Sequence, residues 1–581
     1  MTACSDVYWR HRRTGEHGEF RGARDLLLAM RLDHDAACTT FRWPRPRHFN
    51  WALEWFDVIA DGNDSPALHV LHDAGPGEVV SYARMSAESD RTAVWLGAQG
   101  VRRGDRVLVL LGAQRELWEC FLACLKIGAV LVPSSVTITG PEIKERVRRG
   151  RIQHIICRDD VTSRIDVDVP GVRVAVPGDV PGWSPYRLRA ASAAEYLPDG
   201  PTLASDIAFC YFTSGTTSSP KLVAHTQASY PVGHLSSLFW NGIQPGDRHL
   251  NISTPGWAKH AWSSLFVPWN AEAVIVVPPE PMNPAALPAL LRDHRITSVC
   301  APPSTWQRLR PHLHEVRPAL REATSAGEPL PEQIVAEVSA TWGVTVRDGY
   351  GQSEATALIG TSPGLPRVPG WLGKPLPGYQ ITLRDARGRL AGQQGELCVE
   401  RDDDGMWPAG LMPGYLDEHG DLHPPATEGF YRTGDLGERD EAGHFRVLGR
   451  TDDIFKSFDR RISPYELEAV IKSHVAVADA AVIPRAHPDG GAVPHAVVVL
   501  LPGQGGGPVI AATILEHWPP SWRRSCGPGR SRSPGTCHAP ATARSGARHC
   551  SPIRCRLTGW TRSWRRETLH YYTKSDNYPA S

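Results

Sequence analysis

The stretch DRVLVLLGAQRELWECFLACLKIGAVLVP, residues 105–133, predicts the fold. It begins with an apolar run, residues 105–111, that is typical of a buried strand. Apolar residues then recur at helical spacing, and Gly128 stands where a helix would end. A second apolar run follows at residues 129–133. A strand, a helix and a strand in this order predict two parallel strands joined by a right-handed crossover.

Similar strand and helix patterns recur along the chain, at residues 207–230, 286–300 and 331–347. Alternation over about four hundred residues predicts an α/β fold, with a large doubly wound N-terminal domain. A smaller α+β unit begins near Arg450. In that unit Ser463 stands where it would cap a helix, and two strand-like segments follow.

The chain divides into four predicted segments. Residues 1–48 are polar and rich in Arg and His, and they are predicted to be a poorly determined lead-in. Residues 49–449 form the large domain and residues 450–517 form an incomplete small domain. Residues 518–581 form a basic tail that matches neither domain.

The composition is that of an ordinary globular protein, with 41% hydrophobic and 22% charged residues. The N-terminus lacks the pattern of a signal peptide, and no run of about eighteen apolar residues occurs. Twelve cysteines are scattered without paired spacing, which is typical of reduced thiols. Together these features predict a cytoplasmic location.

The tail differs in charge from the rest of the chain. Residues 503–581 contain eleven Arg and one Lys against three acidic residues, so they carry +9 while the first 502 residues carry −8. One interpretation is a reading-frame shift near His517, because two adjacent prolines interrupt a promising helix there and a one-base shift restores apolar and small residues. The alternative is a genuine disordered basic tail that binds nucleic acid or acidic partners. The frame shift is favoured, so nucleic acid is not an expected partner.

The stretch YFTSGTTSSPK, residues 211–221, predicts a phosphate-binding loop. It follows a predicted strand and precedes a helix predicted to start near Thr226. Small hydroxyl residues around Gly215 let backbone N–H and side-chain O–H groups converge on phosphate oxygens, and Lys221 adds a positive charge. Because no Gly-Lys-Ser/Thr closes the loop, it is not a Walker loop, and on its own it is also compatible with a plain polar connection.

Four later motifs follow the loop, and the set resembles the signature of the adenylate-forming superfamily, which includes acyl-CoA synthetases, luciferases and peptide-synthetase adenylation domains. The motifs are SAGEPL (325–330), DGYGQSE (348–354), YRTGDL (431–436) and GRTDDIFK (449–456). The resemblance covers about residues 49–501 and is strongest to the medium-chain acyl-CoA and acetyl-CoA synthetases. It implies that residues 49–449 are the AMP-binding domain and that residues 450–517 are part of its C-terminal partner.

The resemblance implies an acid–thiol ligase that uses ATP and Mg²⁺ to convert a carboxylic acid into an acyl-adenylate, and then transfers the acyl group to coenzyme A. A medium-chain fatty acid or an aromatic acid is the expected substrate. Because the acid and ATP are both anions, the reaction needs cations and oriented donors. Two alternatives stay open: a catalytically impaired homologue that binds nucleotide or acyl-adenylate, and an adenylation domain that loads a carrier protein.

The resemblance also assigns residues. Lys221, Glu354 and Arg450 are implied to be catalytic, with Glu354 as the Mg²⁺ ligand and Asp452 as the hinge between domains. The residues implied to bind ATP or AMP are Thr213, Ser214, Gly215, Thr216, Thr217, Gly327, Glu328, Pro329, Asp348, Gly349, Tyr350, Gly351, Gln352, Ser353, Asp435 and Arg450. The residues implied to contact CoA are Ser457, Phe458, Asp459 and Arg461.

Trp257 and Gly351 are implied to line the acyl pocket. Acetate-specific members carry a Trp at the position of Gly351, and that Trp closes the pocket. A glycine is therefore expected to leave space for a longer acid, with a gain of about 0.8 kcal/mol for each further buried methylene.

Three positions depart from the family pattern. Ser218 stands where the loop usually has a glycine, and Asp459 replaces a glycine next to the CoA channel. The family also has a catalytic lysine near its C-terminus, whereas Lys574 is the only lysine after Leu501 and its surroundings do not match. These departures are the reason for keeping the impaired homologue as an alternative.

Overall fold

A computed structural model describes residues 17–72, 75–192, 195–213, 221–426, 428–457, 460–487, 491–501, 503–516 and 569–572. The chain divides into two compact units. The first comprises residues 1–328, 335–433 and 437–447, and the second comprises residues 329–334, 434–436 and 448–581.

The described α-helices are mostly short. They are α1 (His17–Ala29), α2 (His34–Thr40), α3 (Asp57–Ala60), α4 (Tyr82–Ala98), α5 (Arg115–Ile127), α6 (Gly140–Gly150), α7 (His234–Asn241), α8 (Ala258–Ala261), α9 (Val267–Asn270), α10 (Leu287–Asp293), α11 (Pro303–Leu309), α12 (Glu332–Trp342), α13 (Pro464–Lys472) and α14 (Pro508–Glu516). The first unit also contains two π-helical turns: Ala52–Phe56 leads into α3, and Trp262–Phe266 joins α8 to α9. No helix of the described part of the chain is long and apolar enough to cross a membrane.

The described strands are β1 (Pro66–Val70), β2 (Glu78–Ser81), β3 (Arg106–Leu110), β4 (Val130–Pro133), β5 (His154–Arg158), β6 (Arg173–Val176), β7 (Ser184–Pro185), β8 (Ile207–Thr213), β9 (Lys221–Thr226), β10 (Arg248–Asn251), β11 (Val274–Val277), β12 (Ser298–Cys300), β13 (Glu322–Ala326), β14 (Val346–Gly351), β15 (Ala357–Gly360), β16 (Lys374–Pro375), β17 (Ile381–Arg384), β18 (Gln394–Glu400), β19 (Gly414–Leu416), β20 (Leu422–His423), β21 (Phe430–Arg439), β22 (Phe445–Arg450), β23 (Phe455–Ser457), β24 (Arg460–Ile462), β25 (Val477–His487), β26 (Gly491–Leu500) and β27 (Leu569–Tyr572).

Two nine-stranded sheets form the frame of the first unit, in the orders β16-β15-β14-β13-β12-β10-β11-β1-β2 and β20-β19-β9-β8-β4-β3-β5-β6-β7. The central strands of both sheets are parallel, and antiparallel strands lie at one or both edges. A smaller sheet has the order β17-β18-β21-β22. The predicted α/β architecture with a doubly wound large domain is confirmed.

The strand–helix–strand unit at residues 105–133 folds as the sequence predicts. β3 pairs in parallel with β4, and α5 connects them. Helix α5 ends at Gly128, whose φ of 81° lies in the left-handed region that a glycine adopts without strain. Almost the whole of α5 is buried, which explains why its apolar residues are so regular.

The predicted lead-in is wrong for its described part. Residues 17–48 contain α1 and α2, and the side chains of Phe20 and Leu27 belong to the core of the first unit. The buried guanidinium of Arg24 pairs with Glu272, with 2.6 Å between Nη2 and Oε1. The Arg-rich composition led to the prediction that this segment lies outside the fold. That prediction was wrong because charged residues of the segment are paired inside the fold.

The second unit is a small α+β arrangement. Helix α13 starts at a cap in which Ser463 Oγ accepts a hydrogen bond from the N–H of Glu466, as predicted. β25 and β26 form a long antiparallel pair beside it. Its core contains residues from the helices and strands alike, including Leu467, Val498 and Ile514.

The seven described cysteines are unpaired, and six of them are buried: Cys120, Cys124, Cys157, Cys210, Cys300 and Cys398. Burial raises the pKa of the Cys157 and Cys398 thiols to about 12.

Candidate active site

The two ends of the predicted phosphate loop lie side by side. β8 and β9 are antiparallel, with Thr213 opposite Lys221. The intervening Ser214, Gly215, Thr216 and Thr217, together with Ser218, lie outside the described residues. The helix expected near Thr226 is wrong: the chain continues as β9, and α7 begins only at His234. Five consecutive residues of β9 are buried, and a strand covered on both faces shows no alternation by which to recognise it.

Tyr415 joins two of the predicted catalytic residues. Its hydroxyl donates a hydrogen bond to Oε1 of Glu354 across 3.1 Å, and the Lys221 ammonium lies 4.9 Å from the centroid of its ring. Tyr415 belongs to β19, which pairs with β9, whereas Glu354 follows the end of β14 in the other large sheet. A carboxylate and an ammonium therefore flank one aromatic ring where the two sheets meet.

The side chain of Gln352 connects the motif at residues 348–354 to strand β21. Gln352 donates through Nε2 to the Thr433 carbonyl across 2.9 Å and accepts from the hydroxyl of Tyr431 across 3.3 Å. Burial raises the pKa of Tyr431, and the negative charge of Glu354 raises it further. The Tyr431 hydroxyl therefore stays protonated, and it can keep donating to Gln352.

His225 holds the backbone of the same motif through a hydrogen bond. Its Nε2 lies 2.7 Å from the Ser353 carbonyl, so this nitrogen carries the proton and donates. Its Nδ1 lies 3.2 Å from the Ser229 hydroxyl, which then donates to it. Complete burial lowers the pKa of His225 to about 4, so the ring is neutral at physiological pH. The backbone just before Glu354 is thus fixed by an uncharged donor.

The loop predicted to contact adenine contains, in the first unit, Gly327, which has φ of 102°, and Glu328, whose Oε1 lies 3.5 Å from the hydroxyl of Ser304. Pro329 belongs to the second unit. Lys259 donates to the Ala326 carbonyl across 2.7 Å, which places a cation beside this loop. The sequence prediction did not include Lys259, although it stands two residues after Trp257.

Gly256 positions the predicted acyl-pocket segment. Its φ is 103°, and a Cβ at this position would collide with the backbone of Ser134 and Ser135. Trp257 follows with a side chain that is 63% exposed.

The open space expected beside Gly351 is absent. A Cβ on Gly351 would lie 2.6 Å from Cη2 of Trp262 and would collide with the Thr356 carbonyl oxygen. The indole of Trp262 therefore occupies the space in which a larger side chain at this position would lie. That Gly351 and Trp257 line the acyl pocket stays a prediction.

The second unit brings together the ribose and hinge motifs. Nη1 of Arg450 lies 3.5 Å from Oδ1 of Asp435, and its Nε lies 3.6 Å from Oδ1 of Asp452. Gly434 has φ of 75°, and a Cβ there would lie 2.8 Å from Arg450 Nη2, so only a glycine lets the guanidinium approach. The guanidinium of Arg450 therefore lies between two carboxylates, Asp435 and Asp452.

The predicted CoA contacts are described only in part. Ser457 ends β23 and is buried. The backbone of Arg461 lies in β24, which pairs with β23. Phe458 and Asp459 lie outside the described residues.

This fold, with a lysine next to the ring of Tyr415 and a carboxylate hydrogen-bonded to its hydroxyl, matches that of ATP-dependent acid-activating enzymes. The family model of the AMP-binding enzymes matches residues 57–416, and the model of the AMP-binding enzyme C-terminal domain matches residues 466–525. The chain belongs to the AMP-binding enzyme family.

Curated relatives support the same assignment. The chain is 35% identical over 450 residues to 4-hydroxybutyrate–CoA ligase 1 of Metallosphaera sedula, covering 75% of this chain and 78% of that protein. It is 30% identical over 482 residues to the human mitochondrial acyl-coenzyme A synthetase ACSM3, covering 80% and 82%. These relatives are acyl-CoA ligases, and ATP and CoA are substrates of the family.

Solved structures agree with the fold. A Brucella canis acyl-CoA synthetase matches with a TM-score of 0.68 and 25% identity, covering 85% of this chain and 92% of that one. The anthranilate CoA ligase AuaEII in complex with anthranoyl-AMP matches with a TM-score of 0.72 and 23% identity, covering 82% and 91%.

Proposed function

We propose that this chain activates a carboxylic acid with an uncharged tail, forming an acyl-adenylate at the Lys221–Tyr415–Glu354 group and then an acyl-CoA. The observation that carries the proposal is the placement of Lys221 and Glu354 against one ring in the first unit. The acid oxygen attacks the α-phosphorus of ATP, the bond to the bridging oxygen breaks, and pyrophosphate leaves. Lys221 offsets the negative charge that accumulates between the two anions.

Mg²⁺ is part of the proposal. The described residues contain no group of three or more His, Cys, Asp or Glu that could hold a metal by themselves. One carboxylate is enough for Mg²⁺ when nucleotide phosphates and water complete the shell, so Glu354 fits this role. The ion would neutralise phosphate charge. In the second unit, Asp435 is proposed to accept the ribose hydroxyls, and Arg450 to stay near the nucleotide.

The identity of the thiol acceptor and the class of the acid substrate are also part of the proposal. Relatives whose names specify CoA favour CoA over a carrier protein. Their printed substrates, 4-hydroxybutyrate and anthranilate, are small acids, while the sequence features favour medium-chain or aromatic acids. A cytoplasmic location is also proposed, because the scattered cysteines are typical of reduced thiols and six of the seven described ones are buried.

The test is acid-dependent exchange of labelled pyrophosphate into ATP, followed by thioester formation with CoA, over a panel of straight-chain and aromatic acids. We expect exchange with at least one acid, and loss of more than about a hundredfold in Glu354→Gln and Lys221→Ala. Lys144→Ala is the matched control, because Lys144 is exposed on α6. Absence of exchange with every acid, or full activity in Glu354→Gln, would contradict the proposal.

The second candidate is an enzyme that is impaired in adenylation, and the unmatched C-terminal lysine favours it. This chain would then convert a supplied synthetic acyl-adenylate and CoA into thioester while making acyl-adenylate from ATP only slowly. Measuring both half-reactions separates the candidates. Fast pyrophosphate exchange would exclude impairment.

A further inference from the structure

The indole of Trp262 replaces the missing side chain of Gly351. It is 5% exposed and lies 2.6 Å from the point where a Cβ on Gly351 would be. Gly351 ends β14, three residues before Glu354. The site of acid activation is therefore bounded on this side by a ring that comes from another part of the chain.

The ring of Trp262 is held in place by a hydrogen bond. Its Nε1 donates to the hydroxyl of Tyr230 across 3.0 Å, and that hydroxyl donates to the Ala258 carbonyl across 3.2 Å. The ring of Tyr230 stacks on His225, with 4.1 Å between centroids. Moving the indole aside would leave a buried N–H unpaired, so Trp262 is a fixed wall rather than a gate.

The local backbone keeps this wall in position. Trp262 begins the π-helical turn that links α8 to α9, and Ser264 within that turn has φ of −126°, outside the helical range. The Trp118 indole donates to the Ser264 carbonyl across 2.6 Å, which anchors the kink to α5. The orientation of Trp262 is thus set by the turn as well as by Tyr230.

The neighbouring rings carry no charge. Burial lowers the pKa of His225 to about 4 and lowers that of His234 well below its usual value. The His234 ring lies 5.7 Å from that of Trp262, and Nε2 of His234 has no hydrogen-bond partner among the described residues. Among the described residues, the rings next to Trp262 are therefore uncharged, and they offer no cation to a second carboxylate.

We infer that Trp262 limits the length of the acid, so that the chain prefers compact acids with uncharged tails over longer fatty acids and aromatic acids. This inference rests on the proposed function and on the prediction that Gly351 lines the acyl pocket. A relative with glycine here and no such ring would admit a longer chain. Trp262 is then the residue that determines specificity, and Gly351 is the position that accommodates it.

The test compares kcat/KM for butyrate, hexanoate, octanoate and benzoate in the wild-type chain and in Trp262→Leu. The wild type is expected to prefer butyrate. The variant is expected to gain about fourfold for each additional methylene that it admits, and so more than tenfold in the ratio of octanoate to butyrate. The control is Trp240→Leu. Trp240 is also a buried indole packed on glycines of β14 and β15, Gly349 and Gly360, and its Nε1 donates to the Asp348 carbonyl.

The outcomes separate the two claims. No exchange with any acid in the wild type would defeat the proposed function. A wild type that turns over octanoate or benzoate better than butyrate would overturn the role of Trp262 and leave the proposed function standing, and this measurement needs no variant. An equal change of the chain-length ratio in Trp240→Leu would also overturn it, because a general loosening of the core would then explain the effect.

Discussion

Tyr415 contacts both the lysine and the carboxylate that are predicted to be catalytic, Lys221 and Glu354. In Tyr415→Phe the ring beside Lys221 remains, while the hydrogen bond to Glu354 is lost. Because hydrogen bonds to charged groups contribute about 1.5–3 kcal/mol, we expect kcat/KM for pyrophosphate exchange to fall about tenfold or more. The free energy of unfolding should fall by no more than that amount, and denaturant titration checks that the variant still folds. An unchanged kcat/KM would show that the hydroxyl of Tyr415 does not contribute to the reaction and that the residue only packs.

Gly256 permits a close approach of two backbones. Gly256→Ala would place a methyl group against Ser134 and Ser135 at a φ of 103°, and we expect the free energy of unfolding to fall by about 1–3 kcal/mol. The control is Gly97→Ala within α4, where a Cβ meets no atom within 4 Å. That change should be neutral or stabilise by about 0.5–1 kcal/mol. Equal effects of the two substitutions in urea unfolding would contradict this account.

At this scale the sequence identifies residues that stand in motifs and misses those that reach the site through tertiary contacts. Glu354 and Lys221 were recognisable because motif letters surround them. Tyr415 occurs in no recognised pattern, and Trp262 closes a recognised segment in which only Trp257 was assigned to the acyl pocket, because contacts made in the folded chain are not visible in that pattern. The error at Gly351 has the same origin: an absent side chain indicates space only if no distant residue fills it.

Helix α5 contains a buried lysine that links three helices. Nζ of Lys126 lies 2.8 Å from Oδ1 of Asp57 in α3 and 2.8 Å from Oδ1 of Asp90 in α4. Lys126→Met would leave two carboxylates without their cation, and we expect a loss of about 3–5 kcal/mol in the free energy of unfolding.

The matched control for Lys126→Met is Lys144→Met, because Lys144 is exposed on α6 and should change stability by less than about 0.5 kcal/mol. Urea titration of both variants measures the difference. Similar stabilities would show that Asp57 and Asp90 find other partners.

Helices and strands whose apolar residues follow a clear pattern were predictable from the sequence, and others were not. β3, α5 and β4 follow from an apolar run, a helical spacing and a second run. β9 was mistaken for the approach to a helix because it is buried along its length. α1 was missed because its buried arginine is satisfied by a glutamate more than two hundred residues away.

For the whole molecule, buried neutral histidines predict a loss of stability in acid. The folded chain keeps His225 neutral down to about pH 4, whereas an unfolded histidine binds a proton near pH 6.5. Stability therefore falls as the pH drops from about 6.5 toward 4, and His225 alone accounts for about 1 kcal/mol between pH 7 and pH 5.5. In His225→Gln this part of the pH dependence should disappear in urea unfolding of the full chain. An unchanged slope would contradict the prediction.

The class of fold was predictable from the sequence as a whole, because alternating strands and helices leave few architectures open. The buried lysine and histidines that affect its stability were not predictable, because no local sequence pattern distinguishes a buried lysine or histidine from an exposed one. The predicted domain limits, the loop residues 214–217 and the role of the tail stay predictions.

The buried cysteines have a consequence for experiment. Alkylating agents react with the thiolate, and a thiol that is shielded from solvent and has a pKa of about 12 reacts only when its surroundings open. Two of the buried cysteines, Cys120 and Cys124, lie on α5, while Cys157 in β5 and Cys210 in β8 belong to the second large sheet. Mass spectrometry at successive times of alkylation would show which of these thiols is modified first, and therefore which part of the structure opens first. The native cysteines suffice, so no further cysteine has to be introduced.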